Sequence, residues 1–144
     1  MFAPSRDEAR RFFFDTWRKY QRAEALSALE QVALRVMLLH TEYHALLSDA
    51  ERNLGLEFSP ASGKMNPFLH LSLHLAVEEQ LSIDQPPGIR ERYEALARAS
   101  GSDHDAKHDV LECLGETIWE AQRTGAPPDE RAYLECLDRK ARRA

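Results

Sequence analysis

The apolar residues of this chain recur at the three- and four-residue spacing of amphipathic helices, and no segment alternates as a strand would. Helix starts are marked by capping residues: Ser5 and Ser27 each begin a Ser-x-x-Glu capping box, and Asn66 precedes a proline suited to a first helical position. The clearest helix end is Gly125, which two prolines follow closely. A break is expected near Thr41, inside the helix that Ser27 opens, with Thr41 as the cap of a short helix of its own.

These signals predict an all-α protein, a single-domain helical bundle of five or six helices over residues 1–144. The expected helices cover approximately residues 6–25, 28–47, 67–83, 89–99, 103–124 and 129–139. The longest predicted loop, 55–65, contains a proline, glycines and two serines. A chain of 144 residues, 43% hydrophobic and 30% charged, is typical of one globular domain.

Charge and hydropathy exclude several classes of function. A net charge of −5 argues against nucleic-acid binding, which needs a basic surface. The N-terminus lacks the basic segment and apolar run of a signal peptide, and no apolar stretch reaches the roughly 20 residues of a membrane span. We therefore expect a cytoplasmic protein without nucleic-acid or membrane partners. The apolar helix at 68–83 is compatible with a homodimer. The sequence does not indicate which other protein would be a partner.

The two cysteines, Cys113 and Cys136, are too few for a secreted disulfide scaffold and are expected to be free thiols. They lie at similar distances on either side of the turn at Gly125, so an antiparallel helix pair would bring them to similar heights. Core packing is the favoured interpretation. A redox pair is the alternative, although the Cys-x-x-Cys spacing of thioredoxin-type sites is absent. No nucleophile elbow or phosphate-binding loop is present.

All six histidines fall into pairs spaced i, i+4, namely His40 with His44, His70 with His74, and His104 with His108. On a helix this spacing puts both side chains on one face, about one turn apart. The second and third pairs extend by four further residues to Glu78 and Glu112. Two helices therefore each present a His-His-Glu ladder.

Such ladders on facing helices of a bundle can converge on a transition metal. Imidazole with carboxylate suits iron, manganese or zinc, and the absence of cysteine from the ladders argues against a thiolate site. A break near Thr41 would let only one member of the first pair join the site, and His44 is taken as that member. The predicted ligands are His44, His70, His74, Glu78, His104, His108 and Glu112. The order His-x-x-x-Glu resembles hemerythrin-like sites more than ferritin-like ones.

Three functions are compatible with this pattern. The first is a metal-binding bundle that handles oxygen or peroxide, hydrolyses a substrate with a metal-activated water, or senses metal. The second is a non-enzymatic interaction module that uses the 55–65 loop and the 85–88 turn, with histidines that are structural. The third is a pH-responsive bundle, because clustered imidazoles take up protons between about pH 5 and 7 and repel one another.

Residues 66–76 and 87–90, and farther along 112–114 and 133–137, resemble the bacterial family known as domain of unknown function 1841. The likeness begins near Ser5 and covers nearly the whole chain. No activity is attached to the family, so the resemblance supports the all-α fold and leaves the function open. The family often has proline where this chain has Thr41, which would start a new helix after His40 and separate it from His44.

Overall fold

A computed structural model describes residues 6–49 and 66–143, and every regular element in these residues is a helix. They form seven α-helices and one 3₁₀ turn: α1 (Arg6–Gln21), α2 (Ala28–Leu39), the 3₁₀ turn Thr41–Tyr43, α3 (His44–Leu47), α4 (Pro67–Ile83), α5 (Ile89–Ser100), α6 (Asp103–Thr124) and α7 (Glu130–Arg143). The Ser5 capping box and the predicted 55–65 loop lie outside the described residues. None of the described helices is both long enough and apolar enough to cross a membrane.

The all-α prediction is confirmed for the described residues, but the predicted number of helices, five or six, is wrong. The seventh helix, α3, arises because the backbone of His40 leaves the helical region at φ −111° and ψ 69°. The 3₁₀ turn follows, and α3 then begins at His44. The first helix is also shorter than predicted, since Ala23 adopts a left-handed φ of 55° just beyond its end.

The capping residues behave as their sequence context predicts. Ser27 Oγ accepts a hydrogen bond from the Glu30 backbone N–H at 3.2 Å, and the Ser27 N–H donates to Glu30 Oε1 at 2.9 Å. At the start of α4, Asn66 Oδ1 accepts from the Phe68 N–H at 2.9 Å. Gly125 ends α6 at φ 71°, a conformation that glycine adopts without strain. Local chemistry therefore fixes most helix boundaries.

The chain divides into two compact units, Met1–Leu75 (unit 1) and Ala76–Ala144 (unit 2), and the division falls within α4. The single domain expected over residues 1–144 stays a prediction. Unit 1 holds α1, α2, the 3₁₀ turn, α3 and the first part of α4. Unit 2 holds the rest of α4 with α5, α6 and α7.

The core of unit 1 is aromatic and aliphatic. Its buried members are Phe13, Phe14, Trp17, Ala33, Val36, Met37, Leu47, Phe68, Leu71 and Leu75. Each of these large side chains contributes about 1.5–3 kcal/mol when it is withdrawn from water. At the edge of this core, Lys19 Nζ lies 2.9 Å from the carboxylate of Glu30. The Ser27 N–H and Lys19 together lower the pKa of Glu30.

In unit 2, helices α5, α6 and α7 pack against one another in all three pairs. The buried side chains include Ile89, Leu96, Val110, Leu111, Tyr133 and Leu137. The expectation of free thiols is wrong, because Cys113 of α6 and Cys136 of α7 form a disulfide. Their Cα atoms are 5.8 Å apart, a separation typical of disulfides. The sequence symmetry about Gly125 had indicated this proximity without indicating the bond.

Candidate metal centre

His40 continues the buried stripe of α2. Ala33, Val36 and Met37 are buried, and His40, four residues after Val36, is only 3% exposed. Its Nδ1 lies 2.8 Å from the Val36 carbonyl oxygen. Because a carbonyl can only accept, Nδ1 carries the hydrogen, and Nε2 of the neutral ring carries the lone pair. His40 therefore offers Nε2 as a ligand atom.

The first ladder of α4 supplies two more imidazoles next to it. The rings of His70 and His74 have their centroids 4.8 Å apart, as the i, i+4 spacing predicts. The His40 ring lies 4.9 Å from His70 and 4.7 Å from His74. His74 is 3% exposed, and His70 is partly buried. Three imidazoles from two separate segments of the chain thus meet in unit 1.

The nitrogen positions of these three residues suit a metal ion. We call His40, His70 and His74 the trihistidine site. His40 Nε2 and His70 Nε2 are 3.1 Å apart, and one ligand nitrogen from each of the three lies within 4.8 Å of the others. A tetrahedral metal with bonds of about 2.0–2.1 Å places its ligand nitrogens about 3.3 Å apart. The separation between His40 Nε2 and His70 Nε2 is already close to that value.

The donor set is nitrogen only in the part of unit 1 that the structure describes. Neither a carboxylate nor a cysteine of these residues joins the trihistidine site. The ring of Tyr43 stacks on His40 with a centroid distance of 5.6 Å and an interplanar angle of 5°. Its edge contact with His70 is at 6.0 Å. Burial, with a smaller contribution from the charge of Glu42, raises the pKa of Tyr43, so this phenol stays neutral beside the imidazoles.

His44, the predicted ligand from this segment, is used differently. Its Nε2 lies 2.8 Å from the Met37 carbonyl oxygen, so it donates a hydrogen bond there, and its ring centroid is 4.6 Å from that of Trp17. The structure brings His40, not His44, to the pair on α4. The signal for His40 was present in the sequence. It lies three and four residues beyond Met37 and Val36 and thus on the same helical face.

The remaining predicted ligands, Glu78, His104, His108 and Glu112, belong to unit 2. The ring centroids of His104 and His108 are 4.2 Å apart on α6, again as the spacing predicts. The carboxylates of Glu78 and Glu112 each form an ion pair with a lysine. Within the described part of unit 2 alone, no three histidine, cysteine or acidic residues converge. Their roles as metal ligands stay predictions from the sequence.

The two ion pairs are short. Lys107 Nζ lies 2.6 Å from Glu78 Oε1, and Lys140 Nζ lies 2.6 Å from Glu112 Oε2. A lysine ammonium neutralises the carboxylate and occupies one of its oxygens. A metal ion that used either glutamate would therefore compete with a lysine for the negative charge of the carboxylate. This competition distinguishes the carboxylates of the ladders from the three imidazoles of unit 1.

Comparison with known proteins gives a family but no activity. No curated protein and no solved structure matches the chain. The family resemblance noted in the sequence is confirmed over almost the whole chain, since a family profile matches residues 5–139. The chain belongs to the family described as domain of unknown function (DUF1841).

Proposed function

We propose that this chain is a metal-binding protein and that the trihistidine site of unit 1 holds a transition metal ion. One observation supports the proposal above all others. Three imidazoles from two separate segments place their ligand nitrogens within 4.8 Å of one another, at a largely buried position. Imidazole nitrogens that converge from separate segments of a chain are typical ligands of transition metals in proteins.

The donor atoms indicate which metals fit. Imidazole suits zinc, iron, copper and nickel, whereas manganese, magnesium and calcium prefer oxygen. Of the metals that the sequence suggested, zinc and iron are therefore favoured over manganese. Zinc with three histidines takes a fourth ligand, which is a protein side chain in structural sites and a water in catalytic ones.

The identity of the fourth ligand decides the class of function. The candidates that the sequence offers are the two histidines of the second ladder, His104 and His108. Four imidazoles would close the coordination sphere and favour a structural or metal-sensing role. A water in that position would have its pKa lowered to about 7 and could act as a nucleophile in hydrolysis.

The deciding experiment is elemental analysis by mass spectrometry of untagged protein, purified without chelators and quantified per chain. We expect near-stoichiometric zinc or iron in the natural sequence. The variants His70→Gln and His74→Gln should reduce the metal to background, because each removes one of the three nitrogens. Retention of helical circular dichroism would show that the variants fold.

His44→Gln is the matched control, because it removes the same side chain from the same unit. Its Nε2 already donates to the Met37 carbonyl, so this variant should keep its metal. Background metal in the natural sequence, or metal that survives both His70→Gln and His74→Gln, would refute the proposal. The histidines would then be structural or pH-responsive, as the alternative function of an interaction module requires.

His104→Gln and His108→Gln then test the two candidates for a fourth protein ligand. Loss of affinity with retained partial binding in one variant identifies that histidine as the fourth ligand of a closed site. Unchanged affinity in both variants excludes the second ladder as the source of the fourth ligand. Binding can be followed as thermal stabilisation by added zinc, which amounts to about 2.7 kcal/mol when the zinc concentration is 100 times the dissociation constant.

A further inference from the structure

A second candidate site lies in unit 2, at the end of α6 and the start of α7. These helices enclose a cavity of about 570 Å³, which is within the range of small-molecule sites. Its lining includes Glu116, Glu120, Asp129, Arg139 and Cys136. We call it the disulfide groove, because Cys136 forms part of its wall.

The two sulfurs of the disulfide are unequal. Cys136 lines the groove and is 6% exposed, whereas Cys113 is 0% exposed and does not line the groove. Thiol–disulfide exchange begins when a thiolate attacks one sulfur of the bond, and the accessible sulfur is the one attacked. The groove therefore presents Cys136 and conceals Cys113.

The charged residues of the groove affect which thiols can approach Cys136, according to the charge that each thiol carries. Three carboxylates and one guanidinium line it, so its net charge is negative. Glu116 Oε2 lies 3.7 Å from Cys136 Sγ, and Glu120 is paired with Arg123 at 2.6 Å. A thiolate that carries another negative charge is repelled by this surface, whereas one attached to a cationic group is attracted.

We propose that the disulfide groove is a thiol–disulfide exchange site for a thiol attached to a cationic group. The incoming thiolate attacks Cys136 Sγ and forms a mixed disulfide with it. The bond between Cys136 and Cys113 breaks, and Cys113 leaves as a thiolate that takes up the proton lost by the incoming thiol. A second thiol then releases Cys136 and departs with the first as their own disulfide, so that the chain gains two electrons and two protons.

The proposal involves only residues of unit 2. It is therefore independent of the metal proposed for the trihistidine site.

The test uses the oxidised full chain and cysteamine, a small thiol with one positive charge. The reaction is carried out without oxygen, stopped by acid and alkylation at increasing times, and analysed by peptide mapping. We expect the first product to be a mixed disulfide on Cys136, with Cys113 recovered as the alkylated thiol. A mixed disulfide on Cys113, equal labelling of both cysteines, or reaction only after unfolding would overturn the proposal.

The selectivity for charge has its own test. Cysteamine and 3-mercaptopropionate are similar in size and opposite in charge. The rate at which each thiol reacts with the disulfide of the folded chain is divided by its rate with the chain unfolded in guanidinium. This division cancels their different intrinsic reactivities. We expect the folded chain to prefer cysteamine by about tenfold, the lower end of electrostatic effects on association rates.

The double variant Glu116→Gln with Glu120→Gln should bring this preference close to unity. Glu130→Gln is the matched control, since Glu130 is an exposed acid of α7 that does not line the groove. It should leave the preference unchanged. Equal preference in the natural sequence and in the double variant would refute the charge selectivity, and with it the cationic thiol.

Discussion

The two units use the same sequence motif in different ways. In unit 1, the His70–His74 pair meets a third imidazole, His40, which comes from the end of α2. In unit 2, the His104–His108 pair lies on a helix whose neighbouring helix is tied to it by a disulfide. The i, i+4 spacing is identical in both pairs. The residues that surround each pair differ.

The difference shows what a metal site needs beyond spacing. Two imidazoles on one helix face supply two ligands, and a third must come from another segment of the chain. His40 meets this need because the buried stripe of α2 extends to it. The carboxylates at the ends of the two ladders are already engaged by Lys107 and Lys140. A lysine that is paired with an acidic residue at ligand spacing thus competes with a metal for it.

The largest expected effect on stability is in unit 2. The double substitution Cys113→Ala with Cys136→Ala opens a cross-link between residues 23 apart in sequence. We expect a loss of about 3 kcal/mol, since the unfolded chain gains the freedom that the cross-link removes. Hydrogen exchange followed by mass spectrometry should show reduced protection in peptides from α6 and α7.

Peptides from α1 and α2 serve as the internal control for this experiment. They should keep the protection that they have in the natural sequence. Equal loss of protection in peptides from both units would contradict the expected difference between the units, because the disulfide would then stabilise the whole chain. An unchanged unfolding midpoint would show that the disulfide contributes no stability.

A smaller effect is expected at the capping box of unit 1. Glu30→Gln removes the charge that accepts from Ser27 and Lys19, and we expect a loss of about 1 kcal/mol at pH 7. The pKa of Glu30 is lowered in the folded chain, so its contribution is complete above the unfolded pKa of about 4.5 and is lost as the pH falls through the folded pKa. The two proteins should therefore become equally stable in acid.

Chemical denaturation at pH 7 and at a series of lower pH values measures this difference. Glu24→Gln is a suitable control, since Glu24 is exposed in the turn before α2. Its effect should stay within about 0.5 kcal/mol, as is usual for surface substitutions. A stability difference between Glu30→Gln and the natural sequence that does not shrink in acid would contradict the role given to the charge.

The smallest effect on stability is expected from the lysines that engage the ladders. Lys107→Met and Lys140→Met each remove one partly exposed ion pair, which contributes about 0–1 kcal/mol. The informative measurement is metal content per chain. If the trihistidine site holds the metal as proposed, both variants should bind the same amount as the natural sequence. Extra metal in either variant would show that lysine competition alone keeps Glu78 or Glu112 from acting as a ligand.

The sequence predicted best what depends on near neighbours. The caps at Ser27, Asn66 and Gly125 are governed by residues within a few positions, and all three are found where the pattern placed them. The break after α2 was also foreseen near Thr41. The short helix that follows, α3, begins at His44 rather than directly after Thr41, and no side chain caps it.

Features that depend on distant contacts were predicted less well. The helical spacing of His40 from Val36 and Met37 favoured His40, but only the direction of the chain after α2 brings His40 to α4 and His44 to Trp17. Similarly, the spacing of Cys113 and Cys136 about the turn indicated proximity, but a bond requires a Cα separation that helix packing sets. The lysine partners of Glu78 and Glu112 also depend on helix packing, so the sequence did not predict them.

If the trihistidine site binds a metal as proposed, the hydrogen bond from His40 to the Val36 carbonyl has a consequence for how the ion is taken up. With the His40 hydrogen held on Nδ1, the 3.1 Å contact between the two Nε2 atoms requires His70 to carry its own hydrogen on Nε2 in the metal-free state. Coordination through both Nε2 atoms then obliges His70 to exchange tautomers, while His40 keeps its own. Nitrogen chemical shifts of the two rings would therefore show a change of tautomer at His70 alone when the ion binds. The position of one hydrogen would report metal uptake.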